Sequence, residues 1–341
     1  MRRVAASPDI TLDPFGELGN LALHWRTWAL GVRFEFSSNN RALLRIAQDA
    51  FDRVPQHRWA RGSGAAMRVT LVVERGGVLS TRTQPPRPVL SSGAGMLCGH
   101  VDSRNFVIID PAGERALIRV GDAMLSHPEL LRYELIEFAA ITLATRTQGL
   151  VPLHAGCVGA RGKGVLLLGS SGSGKSTLAL HGALAGLDFL AEDSVFVQPA
   201  TLRATGLSAY VHAHTDALSL IGDGRMRRAI RAGPRIQRRS GVRKYEIDLR
   251  RLSARLAPQP LRIVATVVLS ARRGRGAAGL QSLTVGELRH ALRKEQSFAV
   301  GQRGWREFER SVLRAGAYRL DRMAPADGVM ALRTLLGIAA K

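Results

Sequence analysis

The sequence predicts an α/β fold. A C-terminal domain over residues 149–341 is organised around a phosphate-binding loop, and a smaller α+β N-terminal domain over residues 1–148 precedes it. Three observations predict this. The stretch Gly169-Ser170-Ser171-Gly172-Ser173-Gly174-Lys175-Ser176-Thr177 fits the pattern G-x-x-x-x-G-K-[ST]. The apolar run Gly164–Leu168 leads into it and reads as a buried strand. Lys175–Ala185 leaves it as a helix pattern that stops at Gly186.

The chemistry explains these residue types. Gly169, Gly172 and Gly174 let the backbone turn tightly and approach phosphate oxygens with no Cβ in the way. The N–H groups of the loop and of the helix N-terminus form an anion site. Lys175 is expected to reach the outer phosphates, and the Ser176 hydroxyl to ligate Mg²⁺. A chance Gly/Ser-rich turn before a helix is the bland alternative, and the flanking strand and helix argue against it.

Composition bounds the rest. The 341 residues suffice for two domains, and a hydrophobic share of 45% suits a globular chain. No apolar run approaches the length of a membrane span, and the N-terminus lacks the apolar stretch of a signal peptide. Cys98 and Cys157 form neither a disulfide framework nor a metal spacing, which points to free thiols in a reducing cytoplasm. Lys and Arg number 49 against 27 Asp and Glu, a net charge of +22 that favours acidic partners. Arginine alongside abundant Ala and Gly also fits a GC-rich coding bias. An aromatic content of 5% disfavours a base-stacking platform for single strands.

In chain order, residues 1–30 read as irregular, with Leu12, Phe15, Leu18, Leu21 and Leu23 as scattered anchors. Val32–Phe36 alternates as a strand, and Ser37-Ser38-Asn39-Asn40 can cap a helix over Arg41–Phe51. Met67–Glu74, Val101–Asp110 and Arg115–Val120 read as strands, and Pro85-Pro86-Arg87-Pro88 as a break. His24, His57 and His100 stand alone and read as structural or surface histidines. A largely apolar helix runs from Pro128 to Thr147, with Gly149 past its end. Leu150–Val158 and Gly164–Leu168 follow as strands.

Beyond the loop's helix, Leu187–Val197 reads as one strand with Glu192 and Asp193 at its centre. A carboxylate beside a phosphate loop suits a metal ligand or a base, and adjacent strand residues face opposite ways, so the two would do different jobs. Each could instead serve as a turn residue or an ion-pair partner. Residues 225–251 are rich in arginine and punctuated by glycine, and read as a mobile basic loop or a solvated charged surface. Arg243 and Lys244 enter a short strand, Lys244–Asp248, that could aim them inward. His212 and His214 form an H-x-H pair without an evident third metal ligand. A buried strand at Ile263–Ser270, helices near Val285–Gln296 and Gln302–Ala315, a strand at Tyr318–Arg322 and a helix after Pro325 close the chain.

The spacing adds information. Glu192 lies 17 residues after Lys175, and His154, in Pro152-Leu153-His154-Ala155-Gly156, lies 21 before it. With the loop, this set resembles the HPr kinase/phosphorylase family and its relatives encoded with ribosomally made peptides, such as lasso peptide kinases. The resemblance covers roughly residues 150–341. It implies Glu192 as general base for a substrate hydroxyl, Asp193 and Ser176 on Mg²⁺, and His154 near the transferred phosphate. The family's usual pair of aspartates is here Glu192-Asp193, whose longer Glu192 can still act as base; its Arg-Gly-Leu-Gly-type segment is missing, so HPr is not the expected substrate and phosphorolysis stays open.

The expectation is therefore an ATP- and Mg²⁺-dependent cytoplasmic kinase acting on a serine-type hydroxyl of a peptide or small protein. Arg243 or Lys244 would steady developing charge, and the N-terminal domain would position the substrate. A kinase for free serine or a sugar is one rival. A nucleotide-dependent DNA-binding regulator is another, disfavoured by the lack of a recognisable helix-turn-helix. Homo-oligomerisation stays open.

Overall fold

The computed structural model describes residues 20–59, 66–76, 87–207, 209–237, 241–252, 254–273 and 279–339. The anchors Leu12, Phe15 and Leu18, the first two prolines of the 85–88 break, and Arg238 and Arg239 lie outside the described residues. Over its described residues the protein is a mixed α/β chain with three sheets. It divides into two compact units: the described parts of Met1–Arg26, Phe34–Ala50 and Ala66–Ala139, and those of Thr27–Arg33, Phe51–Ala65 and Ala140–Lys341.

The front sheet has seven strands: β1 (Leu23–Ala29), β2 (Val32–Ser38), β3 (Met67–Glu74), β4 (Val89–Gly93), β5 (Met96–His100), β6 (Phe106–Asp110) and β7 (Arg115–Gly121). Their order is β1-β2-β3-β7-β6-β5-β4. Helix α1 (Arg41–Phe51) begins at Asn40, whose side chain accepts from the N–H groups of Ala42 and Leu43. Two expectations need correction. Residues 23–29, read as irregular, form β1. The strand expected from Val101 starts at Phe106, because Asp102 closes a turn by accepting from the N–H groups of Arg104 and Asn105.

The expected helix from Pro128 is continuous in path: α2 (Pro128–Leu130), a π-type turn (Leu131–Ile136) and α3 (Glu137–Gln148). Gly149 follows at φ +60°.

The second unit is built on a nine-stranded sheet. Its strands are β8 (Val151–His154), β9 (Gly156–Ala160), β10 (Lys163–Leu168), β11 (Asp188–Ala191), β12 (Ser194–Val197), β13 (Arg203–Gly206), β17 (Leu261–Arg273), β18 (Leu280–Ser282) and β19 (Gly316–Arg322). The order is β11-β9-β10-β17-β13-β12-β8, with β19 on β17 and β18 on β19. Strands β10, β17 and β19 run parallel. A small sheet of β14 (Tyr210–Ala213), β16 (Arg243–Asp248) and β15 (Arg235–Gln237) stands apart.

The helices are α4 (Lys175–Leu184), α5 (Thr215–Ser219), α6 (Gly224–Arg231), α7 (Val285–Glu295), α8 (Ser297–Val300), α9 (Trp305–Val312) and α10 (Pro325–Leu336). One core gathers Leu178, Leu180, Phe189, Tyr245, Ile247, Val267 and Leu332 around α4 and α10. A second gathers Leu153, Leu166, Leu168, Val195, Trp305 and Phe308 under α7 to α9. The apolar residues of β10 therefore serve both cores: Val165 and Leu167 join the first, Leu166 and Leu168 the second. This is why the run reads as continuously hydrophobic.

Three more expectations are corrected here. Leu150–Val158 is two strands, since Ala155 leaves β12's ladder and donates its N–H to Asp193 O at 3.2 Å. Leu187–Val197 is also two strands, broken at Glu192-Asp193. The basic stretch 225–251 is ordered over its described residues: Asp223 caps α6 by accepting from the N–H groups of Arg225 and Met226, and β15 and β16 pair antiparallel. No helix among the described residues is long and apolar enough to cross a membrane. Cys98 and Cys157 are free, and burial pushes the Cys157 thiol up.

Candidate active site at the carboxyl ends of the parallel strands

Strand β10 ends at Leu168 and the chain turns at once through Gly169, whose φ is +145°. A Cβ there would stand 2.6 Å from Ser173 Oγ and 3.0 Å from Leu269 O, so only glycine fits. Gly174 caps α4 at φ +101°. Helix α4 begins at Lys175, so its first-turn N–H groups lack intrahelical partners and face the loop.

Lys175 is buried at 7% exposure. Its Nζ donates to Gly169 O and, at 3.3 Å, to Ser170 O. Burial holds its ammonium below the ordinary lysine range, while Asp193, Glu295 and Glu192 pull it back up. Ser173 Oγ is buried without a hydrogen-bond partner.

A cavity of about 680 Å³ opens over this loop, a size typical of small-molecule sites. Residues 170–177 line it together with His154, Glu192, Asp193, His212, His214 and Lys244. The structure thus brings the loop, the carboxylate pair, His154 and Lys244 together. Gly169 lies at the loop's base, and the exposed Arg243 is not among the lining residues.

The two carboxylates sit at the bend between β11 and β12 and meet different partners. Asp193 Oδ1 stands 2.6 Å from His154 Nε2, and both side chains are about half exposed. Glu192 is buried, and its Oε2 accepts from the His212 backbone N–H at 2.8 Å and lies 3.2 Å from His212 Nδ1. The far nitrogen of that ring, Nε2, is 3.4 Å from Glu246 Oε2. His212 pairs with Glu246 across β14 and β16. Alternate residues of β16 share a face, which is how Lys244 reaches the cavity beside Glu246. Both ring nitrogens of His212 meet carboxylate oxygens, and only an imidazolium donates to both.

Residues that the sequence did not single out complete the site. Gln296, 2% exposed between α7 and α8, clamps the His154 backbone. Its Oε1 accepts from His154 N–H at 2.8 Å and its Nε2 donates to His154 O at 2.9 Å. Glu246 reaches His212. Neither lies near the loop in sequence, and no local signal marks them. The H-x-H pair is not a metal centre among the described residues, where no group of three or more His, Cys, Asp or Glu could hold an ion. His212 is a carboxylate partner, and His214 precedes α5 at the cavity wall.

The donor set fits a nucleoside triphosphate with Mg²⁺. The N–H groups, Lys175 and the glycine-only approach suit phosphate oxygens, while Ser176 and Asp193 offer hard oxygen ligands. With fewer than three carboxylates or imidazoles converging among the described residues, such an ion would take its other ligands from phosphate oxygens and water, as Mg²⁺ commonly does.

No protein-family model matches the chain, and no curated protein sequence matches it. Among solved structures it is similar to the Hpr(Ser) kinase/phosphatase from Coxiella burnetii. The identity is 12% and the TM-score 0.27, over 55% of this chain and 93% of that one.

Proposed function

We propose that the protein is an ATP- and Mg²⁺-dependent kinase that phosphorylates a serine-type hydroxyl on a peptide or small protein. The observation that carries the reading is a single cavity in which a phosphate loop faces two adjacent carboxylates, each bonded to its own histidine. Lys175 and the loop N–H groups hold the β- and γ-phosphates. Ser176 and Asp193 would hold Mg²⁺, which neutralises charge on the phosphate oxygens. Glu192, oriented by His212, takes the acceptor hydroxyl's proton as the new O–P bond forms and the bond to the β-phosphate oxygen breaks. His154 orients Asp193 beside the transferred group, and Lys244 steadies the developing charge.

The test is incubation of the full chain with ATP and Mg²⁺ against serine peptides, free serine and a sugar, with mass spectrometry for an added phosphate. Transfer to a peptide supports the reading. ATP binding with transfer only to free serine or the sugar moves the acceptor to a metabolite, and no ATP binding by calorimetry removes the kinase.

A further inference from the structure

Between Asp223 and Glu246, residues 224–245 include no acidic residue. The structure makes this stretch a surface. On α6, Arg225, Arg228 and Arg231 are exposed at i, i+3 spacing and form one stripe. Arg235, stacked over the Tyr245 ring at 4.6 Å, and Arg243 are likewise exposed, on the paired strands β15 and β16. None of these five arginines has an ion pair among the described residues, whereas Arg250 and Arg251 beyond them are paired with Asp248.

The stripe adjoins the cavity through two elements. Helix α5 lines the cavity with Ser219, followed by Leu220, just before α6, and β16 contributes Lys244. Leu220, just after α5, and Val242, just before β16, are large apolar residues left exposed, at 51% and 38%. Among the described residues here no aromatic face is open for base stacking: Tyr245 is buried and Tyr210 is covered by Arg250. Unneutralised guanidiniums interleaved with exposed aliphatics suit a peptide bearing carboxylates and aliphatic side chains better than a nucleic acid.

We infer that this arginine surface is the docking site for an acidic segment of the peptide acceptor, held beside the cavity while its hydroxyl enters. The inference rests on the kinase reading for its consequence, but capture can be measured without transfer.

The probes are a fluorescent serine peptide flanked by an Asp/Glu run, the same peptide with Asn/Gln in the run, and a single-stranded DNA of matched charge. Capture by the full chain is read by anisotropy, and transfer by mass spectrometry. The expected result is preferential capture of the acidic peptide, weakening as salt rises, because exposed pairs are screened over about 8 Å at physiological ionic strength. Reversing Arg225, Arg228 and Arg231 to Glu should weaken capture about tenfold, in line with the modest energy of each exposed pair, and leave ATP affinity unchanged. Because Glu at 228 and 231 opposes the helix dipole, the triple Arg→Gln variant is run beside it and should show the same direction. Equal capture of acidic and neutral peptides, or tighter capture of the DNA that the variants abolish, overturns the inference. Acidic capture without transfer to any hydroxyl keeps the docking surface and removes the kinase reading instead.

Discussion

His154 Nε2 and Asp193 Oδ1 stand 2.6 Å apart in the lining of the cavity, though His154 ends β8 and Asp193 immediately precedes β12, with the whole loop and its helix between them in sequence. The pairing Ser194↔His154 across β12 and β8 sets them side by side. Gln296 fixes the other end of the arrangement by holding the His154 backbone on both sides. Replacing Gln296 by Ala strips partners from a backbone N–H and C=O. We expect a loss of about 1–3 kcal/mol per group left buried and unpaired. Phosphoryl transfer should fall while ATP affinity stays, read by thermal melting, single-turnover rates and calorimetry. An unchanged melting temperature would show that water replaces the amide.

Lys175→Ala should abolish ATP binding and leave the fold intact. Its two bonds are to loop carbonyls, and net hydrogen-bond contributions are about 1 kcal/mol each, small beside a domain's stability. Calorimetry measures the first outcome and circular dichroism the second. Wild-type affinity in the variant would remove the loop from the site.

Glu192→Gln should lose about 10²–10⁴-fold in transfer and keep ATP binding, because the isosteric amide retains an acceptor for the His212 N–H but cannot take a proton. Asp193→Asn should instead raise the Mg²⁺ concentration needed for half-maximal rate. The opposite pattern in a Mg²⁺ titration of the two variants would exchange their roles.

His57 gives a pH dependence of stability. It is buried between Thr205 Oγ1 at 2.7 Å and Ala257 O at 2.8 Å, and burial holds its pKa below 6.5. A depressed folded-state value means that the unfolded chain binds the proton first as pH falls below 6.5. The stability this neutral ring supports is complete above 6.5 and is lost as pH falls through the folded value. Melting temperatures at pH 7.5 and 5.5 should therefore diverge more for wild type than for His57→Asn. Equal slopes would assign the acid sensitivity to other groups, His181 among them, whose pKa burial also lowers.

The parts legible in the sequence were those whose signals are local. The phosphate loop, the Gly149 and Gly186 stops and Pro325 opening α10 each need only a few adjacent residues. What escaped depends on distant partners. Strand β4 is exposed at every position, so no hydrophobic alternation marked it; its pairing with β5 makes it a strand. The basic stretch read as a loop because its charge hid Met226, Ile230, Ile236 and Ile247, which the second unit buries or half-buries. In the site, the loop, His154 and the carboxylate pair were legible, whereas Gln296 and Glu246 matter only through contacts made across the fold.

Strand β17 carries a consequence for how the molecule comes into being. Lys163 of β10 pairs with Arg262, and Val267 of β17 pairs with Tyr318 of β19, so the strands that frame the phosphate loop are emitted far apart during synthesis. The loop's own sequence leaves the ribosome long before its neighbours exist, and such non-local pairings are slow to close. Nascent chains stalled ahead of residue 261 should therefore be blind to ATP. The ability to grip nucleotide would switch on late, making ligand capture a clock for completion of the second unit.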